Sequence, residues 1–415
     1  MKKIELSGRR LLLIVAVLGI GLFIVVPLWW WNYFLPSSLA VAHEDLRAQG
    51  ILLNPQEDPT WELSSPEEVK RVDDLYASID AVGSSTAGID LINASPMEKD
   101  TATSMRYHAR LNHEQLNGIL QNLEQLYSEG PQILRRAPLV SLTVDSEHIV
   151  GRRAWARLSA ARAALPLPDE ERVAAIASIG HILALSEDPL LIQMLVDVSL
   201  QAIALNAVAE NQDLWHVYGE ELMAIFEPWA QPAYWQQYHA QAVLNELQIV
   251  DSMLNNPARF NEIHEFTNGN GFQLRLSGAS YVRDSANLYI QLSTHSGSLR
   301  SIVQLLRDFD QEIIQRDSWS ERQKSWLSRQ ALPFSDNMAE RWIRVCLSYE
   351  VLRHEMGYGP WPEDPWAKPG QGLRRYPETG PLQRVWSVGP NGIDEDGQRG
   401  DGDDLWLHWP NKEDA

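Results

Sequence analysis

RRAWARLSAARAALPLPDEERVAAIASIGHILALSEDPLLIQMLVDVSLQAIALNAVAE, residues 152–210, decides the fold. Its apolar side chains recur every three or four positions: Trp155, Leu158 and Ala161, then Val173, Ile176, Ile179, Ile182 and Leu183, then Leu191, Leu195, Val198 and Ala202. That spacing gives each of three helices one apolar stripe. Pro166-Leu167-Pro168 divides the first helix from the second, Asp169 is placed to cap the second, and Glu187-Asp188-Pro189 divides the second from the third. Leu214, Tyr218, Leu222 and Ile225 mark a fourth helix, and Ala242 to Leu254 a fifth. From Arg152 to Leu254 strand-like alternation is nearly absent, so helices stacked on helices are the economical way to bury these stripes.

Working upstream, the spacing predicts one helix over Ala102 to Tyr127, stopped by Gly130-Pro131, and a short extended piece is possible around Leu139 to Val144. Ser65 with Glu68 three residues later is a capping-box pattern that opens another helix through Val69, Leu75 and Ile79. Gly83 to Gly88 reads as a flexible surface loop, because Gly-x-Ser-x-Gly is not satisfied and no strand signal precedes it. Pro55, Pro59 and Pro66 mark a connector, preceded by a short helix from Ser37 to Gln49 that Gly50 is placed to end. Downstream, Asn268-Gly269-Asn270-Gly271 is a turn-rich break, and the helical period resumes at Leu299 to Phe309 and again at Asn337 to Glu355. From Tyr358 prolines and glycines crowd together, and Trp361 and Trp366 among them argue for a segment that wraps against the helices.

The N-terminus carries a different signal. Leu11 to Pro27 is an uncharged apolar run that extends through Trp29, Trp30 and Trp31 to Phe34. A helix over it would be roughly 30 Å long, the thickness of a bilayer's hydrocarbon core. Lys2, Lys3, Arg9 and Arg10 precede it with only Glu5 opposing, which holds the N-terminus in the cytoplasm and sends the rest across the inner membrane. Ala40-Val41-Ala42 resembles a signal-peptidase site, but the run is too long for a signal h-region and the bulky Trp29–Phe34 block separates the two, so a retained signal-anchor is preferred. The expected organisation is a cytoplasmic tail (1–10), a transmembrane anchor (11–34), a helical and linker region (35–100), a helical body (101–357), and a Pro/Trp-rich wrap with an acidic Gly/Asp tail (358–415). The fold class is mainly α, with the extracytoplasmic part an irregular helical bundle or solenoid-like stack.

The formal charge of −20 disfavours nucleic acid as a partner and favours a basic protein surface or divalent cations. There is one cysteine, Cys346, on an apolar helical face beside Ile343 and Leu347, so no intrachain disulfide forms, and an exported chain without disulfides fits a bacterial envelope. None of His43-Glu44, His113-Glu114, His264-Glu265 or His354-Glu355 extends to the zincin motif, and Walker, Rossmann and Ser-x-x-Lys patterns are missing. His181 and His216 read as helix residues rather than ligands, whereas His354 and Glu355 lie close to the Tyr358–Trp366 segment.

Val385-Trp386-Ser387-Val388-Gly389-Pro390-Asn391-Gly392-Ile393-Asp394-Glu395-Asp396-Gly397, followed by Gly400-Asp401-Gly402-Asp403-Asp404-Leu405, concentrates hard oxygen donors on a glycine-rich loop. Such donors suit Ca²⁺, which takes six to eight oxygens; the spacing is not an EF-hand. The alternative is a solvated acidic hairpin. This tail resembles the C-terminal calcium loop of major pseudopilins of type II secretion systems, and the resemblance implies Ser387, Asp403 and Asp404 as metal ligands, with Asp394 and Asp396 as additions. It stops there, because the prepilin cleavage site and its following Glu are missing from the anchor. Trp155, Leu158, Ala175, Ile179 and Ile182 resemble the packing positions of a degenerate tetratricopeptide-type pair, without a convincing second copy. As a whole, the order of anchor, Leu46-Arg-Ala-Gln-Gly50, helical body, Asp364-Pro365-Trp366 and Gly/Asp tail resembles a group of bacterial single-anchor helical membrane proteins. Three functions remain open: a tethered scaffold for protein partners, an envelope hydrolase whose site is assembled from scattered His and carboxylates, and an accessory of a secretion apparatus.

Overall fold

The computed structural model describes residues 35–53, 64–94, 101–129, 132–134, 146–187, 190–255, 271–316, 318–324, 326–332, 335–378, 382–389, 393–394 and 405–407. The expected anchor, the Leu139–Val144 piece and most of the acidic tail fall outside them. The described chain is mainly helical.

In chain order the helices are α1 (Leu35–Ala48), α2 (Pro66–Gly83), α3 (Thr86–Ala94), α4 (Thr101–His108), α5 (His113–Ser128), α6 (Ser146–Ala163), α7 (Asp169–Leu183), α8 (Leu191–Glu210), α9 (Trp215–Ala230), α10 (Pro232–Asn255), α11 (Gly271–Thr294), α12 (Leu299–Ile314), α13 (Trp319–Lys324), α14 (Trp326–Ala331) and α15 (Ser335–Glu355). Two short strands, β1 (Gln132–Leu134) and β2 (Leu185–Glu187), pair in parallel, and β3 (Arg374–Tyr376), β4 (Arg384–Ser387) and β5 (Leu405–Trp406) form an antiparallel sheet in that order. Strands of two to four residues are too short to establish a period of two, which is why the sequence pattern does not show them.

Contacts divide the chain into two compact units, one drawn from the described residues of Met1–Asp58, Leu247–Asn287 and Glu312–Pro333, the other from those of Pro59–Glu246, Leu288–Gln311 and Phe334–Ala415. In the second, larger unit, α2 packs on α6, α6 on α8, and α8 on α15, while α5 packs on α7, and α7 on α9. The members of successive pairs also touch: α2 with α5, α6 with α7, α8 with α9. The stripes predicted on α6 and α7 are buried, whereas on α8 only Val198 of the predicted stripe is: Leu191, Leu195 and Ala202 are half-buried, because α8 is packed by α6, α7 and α15 and buries other residues against them. Trp155 and Leu158 of α6, Ile176, Ile179 and Ile182 of α7, and Leu200 and Leu205 of α8 are almost fully enclosed, each aliphatic side chain contributing roughly 1.5–3 kcal/mol. Trp155 Nε1 donates to Ser178 Oγ at 3.1 Å, so the largest side chain between α6 and α7 leaves no orphan donor.

Several local expectations need correction. The helix predicted over Ala102 to Tyr127 is two helices: Asn112 Oδ1 accepts from Gln115 N at 3.2 Å and starts α5 afresh, a cap stronger than the continuing apolar period. Asp169 is the first residue of α7 rather than its cap; Pro168 holds the cap position without a side-chain bond, and Asp169, Glu170 and Glu171 instead complement the positive end of the helix. Gly83 to Gly88 is not a loose loop. Ser85 Oγ accepts from Gly88 N at 3.0 Å and opens α3, and Gly83 is buried where a Cβ would stand 2.9 Å from that of Ala154, so α2 and α6 approach through a missing side chain. The fifth helix starts ten residues earlier than the pattern suggested, at Pro232. The capping box at Ser65 and Glu68 forms as read. Gly50, at φ +78°, follows α1 in the left-handed conformation.

In the first unit, α1 and the turn after it are fastened to α10: His43 Nε2 lies 2.5 Å from Asp251 Oδ1, and Gln248 Nε2 donates to Leu52 O at 2.8 Å. Arg283 of α11 reaches Asp45 of α1 through one long, half-exposed contact of 3.5 Å. Asp284 of α11, buried, accepts from both terminal nitrogens of Arg316 (2.8 and 2.9 Å) and from Ser328 Oγ at 2.6 Å, which ties the segment carrying α14 to α11.

Candidate functional site

Three constellations in the described residues have the chemistry to matter. The first is buried in the second unit. Asp197, on the mostly apolar α8, forms an ion pair with Arg152 of α6 at 2.6 Å, with the two side chains 5% and 2% exposed. Tyr238 of α10 donates its hydroxyl to the other carboxylate oxygen at 2.6 Å, and Arg152 Nη2 also donates to Ile182 O at 3.3 Å. Burial and then the Asp197 charge push the Tyr238 hydroxyl far above the usual tyrosine range. One turn along α8, Gln201 is fully buried with neither amide atom bonded, and His239 beside Tyr238 is fully buried with neither ring nitrogen bonded. Burial holds His239 at a pKa of about 4, a neutral imidazole. α8 has the length and apolarity of a membrane span, yet its Asp197 is matched inside a helical stack.

Glu246 of α10 accepts from Leu191 N at 3.0 Å and supplies the cap that Leu190 cannot. Burial raises its carboxyl to about 7, against the smaller opposing effect of that hydrogen bond.

The second constellation is the C-terminal segment. Asp364 is 4% exposed and accepts from Ser387 Oγ at 2.7 Å, Val388 N at 2.9 Å and Trp366 N at 3.0 Å, so one carboxylate joins the Pro/Trp-rich segment to β4. Ser387, expected as a metal ligand, therefore spends its proton on Asp364, and its oxygen also accepts from Gly389 N at 3.2 Å. Asp394 accepts from Arg374 Nε at 2.8 Å and from Trp386 Nε1 at 3.1 Å. Asp396, Asp403 and Asp404 lie outside the described residues. β4 and β5 pair with Ser387 opposite Leu405, which brings together the two ends of the predicted metal loop. A cation held there must share oxygens already accepting hydrogen bonds at Ser387 and Asp394. Among the described residues, no group of three or more His, Cys, Asp or Glu is placed to hold a metal.

His354, singled out by its position, meets the segment as expected. Its Nδ1 is 3.0 Å from Gly359 O, and its ring stands edge-on to Trp361 at 5.2 Å. Arg375 covers the same indole at 5.0 Å and reaches Glu355 at 3.6 Å. These contacts pack the segment rather than leave a reactive imidazole. His181 stacks on Tyr127 at 4.5 Å, and burial holds its pKa at about 4; His216 is exposed. Cys346 is buried, which pushes its thiol far up and keeps it protonated.

The third constellation is an open cleft of about 300 Å³ in the first unit, lined by Asp45, Leu46, Ala48 and Gln49 of α1 and its end and by Arg283 and Asn287 of α11. Neither this cleft nor Asp364's role was legible beforehand. Each joins segments far apart in the chain, and the only advance signal was an acidic residue within an aromatic run, Asp364-Pro365-Trp366.

No family model matches the chain, and no curated protein or solved structure is detectably similar to it.

Proposed function

We propose that this chain is a membrane-anchored scaffold of the bacterial envelope, whose helical body lies in the periplasm and presents its outer faces to a protein partner. The observation that carries this reading is the packing order: α2, α6, α8 and α15 succeed one another in one row and α5, α7 and α9 in another. This is how solenoid repeats stack, here as an irregular, tetratricopeptide-like array. Such arrays bind through exposed side chains on a stiff support, and Val150, Val217 and Ile192 stand out at 65%, 69% and 45% exposure. The acidic balance of the chain favours a basic partner.

The Gly/Asp loop belongs to this reading as a Ca²⁺-stabilised closure of the C-terminus, with Asp394, Asp396, Asp403 and Asp404 as carboxylate ligands and Ser387 contributing only its remaining lone pair. Pairing of β4 with β5 supports it, since a loop pinned at both ends loses less entropy when it wraps an ion.

The hydrolase reading draws on one observation, the His43–Asp251 pair, a histidine oriented by a carboxylate. Among the described residues no hydroxyl or thiol bonds the other ring nitrogen, and Asn255 holds the second carboxylate oxygen at 3.0 Å, so the pair fits a fastening of α1 better than a charge-relay. The secretion-accessory reading rests on the tail alone.

The scaffold is tested by site-specific photocrosslinking in cells, with a photoreactive amino acid at Val150, Ile192 or Val217 of the full chain. A discrete adduct from one face and none from the others supports a docking face. Equal adducts everywhere, or none at any position, refute it.

A further inference from the structure

We propose that the cleft on the flank of α1 is a binding site for a small zwitterion of the amino-acid class. This goes beyond the scaffold reading and does not depend on it. At about 300 Å³ the cleft is at the lower limit of pockets that enclose organic ligands, which restricts it to a compact one. Its lining is bipolar. Arg283 and Asp45 face each other at 3.5 Å through a single nitrogen–oxygen contact, with 43% and 53% of their side chains exposed. A solvated contact of that length is weak and gives way at little cost. A ligand bearing a carboxylate and an ammonium can replace it with two better-aligned contacts.

The remaining lining residues match the same ligand. Asn287, one turn beyond Arg283 on α11, offers an amide N–H₂ to the carboxylate, and Gln49, one turn beyond Asp45, offers an amide carbonyl to the ammonium. Leu46, only 2% exposed, and Ala48 provide an apolar floor for a short side chain. α1 and the turn after it are fastened to α10 by the His43–Asp251 pair and the Gln248–Leu52 hydrogen bond, so α1 need not move when the cleft fills. A nucleotide or a sugar phosphate is disfavoured, because one arginine faces one carboxylate and the lining has no excess positive charge.

The test is isothermal titration of the full chain in detergent with glycine, L-alanine, L-glutamate, L-lysine and the dipeptide L-alanyl-L-alanine, each also as its methyl ester and its N-acetyl derivative. Saturable binding of at least one zwitterion is expected, weakened in both blocked derivatives. Arg283→Gln should weaken the free acid roughly 10- to 100-fold, the loss of one charged hydrogen-bond donor, and leave its methyl ester unaffected. Arg283→Gln keeps the fold, because the Arg283 and Asp45 side chains are about half-exposed and held by one long contact. The proposal is overturned if no zwitterion binds below about 10 mM, if the ester or the N-acetyl form binds as well as the parent, or if Arg283→Gln changes nothing.

Discussion

Removing the carboxylate of Asp197 is the sharpest perturbation of the helical stack. The side chain is 5% exposed, pairs with Arg152 at 2.6 Å and accepts the Tyr238 hydroxyl at 2.6 Å. Asp197→Ala takes from the buried Arg152 guanidinium the carboxylate it pairs with and from the buried Tyr238 phenol its acceptor, and breaking such a pair from one side costs about 3–5 kcal/mol. The larger unit comprises about 300 residues, whose unfolding entropy is roughly 0.6 kcal/mol/K, so the expected fall in Tm is about 5–8 °C. The penalty arises from the orphaned partners rather than from the lost attraction. Hence the triple variant Arg152→Met, Asp197→Leu, Tyr238→Phe, which removes all three polar groups together, should recover much of the loss, although the Ile182 carbonyl then loses its donor. Thermal denaturation of the full chain in detergent, followed by far-UV circular dichroism, reads both. A fall below about 2 °C for Asp197→Ala, or a triple variant no more stable than the single one, refutes this account of the core.

Gly83→Val should destabilise by about 1–3 kcal/mol, since a Cβ there stands 2.9 Å from that of Ala154; Ala154→Gly should restore part of it, measured by urea unfolding. Stability should fall as pH rises from about 4.5 to about 7, because the unfolded Glu246 carboxyl ionises near its ordinary 4.5 while burial holds the folded one at about 7. Glu246→Gln should remove that contribution, so that stability above pH 7 rises relative to stability below pH 4. His108, His181 and His239 act in the opposite sense over an overlapping range: burial, chiefly, holds them at about 4, so the stability they confer is present above about 6.5 and lost as pH falls towards 4. Melting curves of the wild type and of Glu246→Gln across pH separate the two contributions. Ca²⁺ should raise Tm, Asp403→Asn with Asp404→Asn should abolish the rise, and Ser387→Ala should lower stability by about 1 kcal/mol of lost hydrogen bonding while keeping most of the Ca²⁺ response; an unchanged Tm after EDTA refutes the metal loop. Alkaline phosphatase fused after Ala415 should be active, and a cytosolic, inactive fusion would overturn the proposed topology.

The sequence by itself determined that the chain is mainly helical and which residues of α6 and α7 line the core. A period of 3.6 in residues such as Val173, Ile176, Ile179 and Ile182 is a local property and brings those side chains to one face of α7, but the tertiary structure buries α7 on nearly every side, from Ala175 to Leu183 with His181 excepted. The capping box at Ser65 and the left-handed Gly50 were legible for the same reason: the signal and its effect lie within four residues. Where two local signals competed, as at Asn112 between a cap and a continuing stripe, the pattern alone could not rank them. Only the tertiary structure decided which polar groups meet. Asp197 with Arg152 and Tyr238, Asp364 with Ser387, and Asp45 with Arg283 are separated by tens to hundreds of residues. Their pairing follows from how stacked helices close loops in space, and no periodicity along the chain records that.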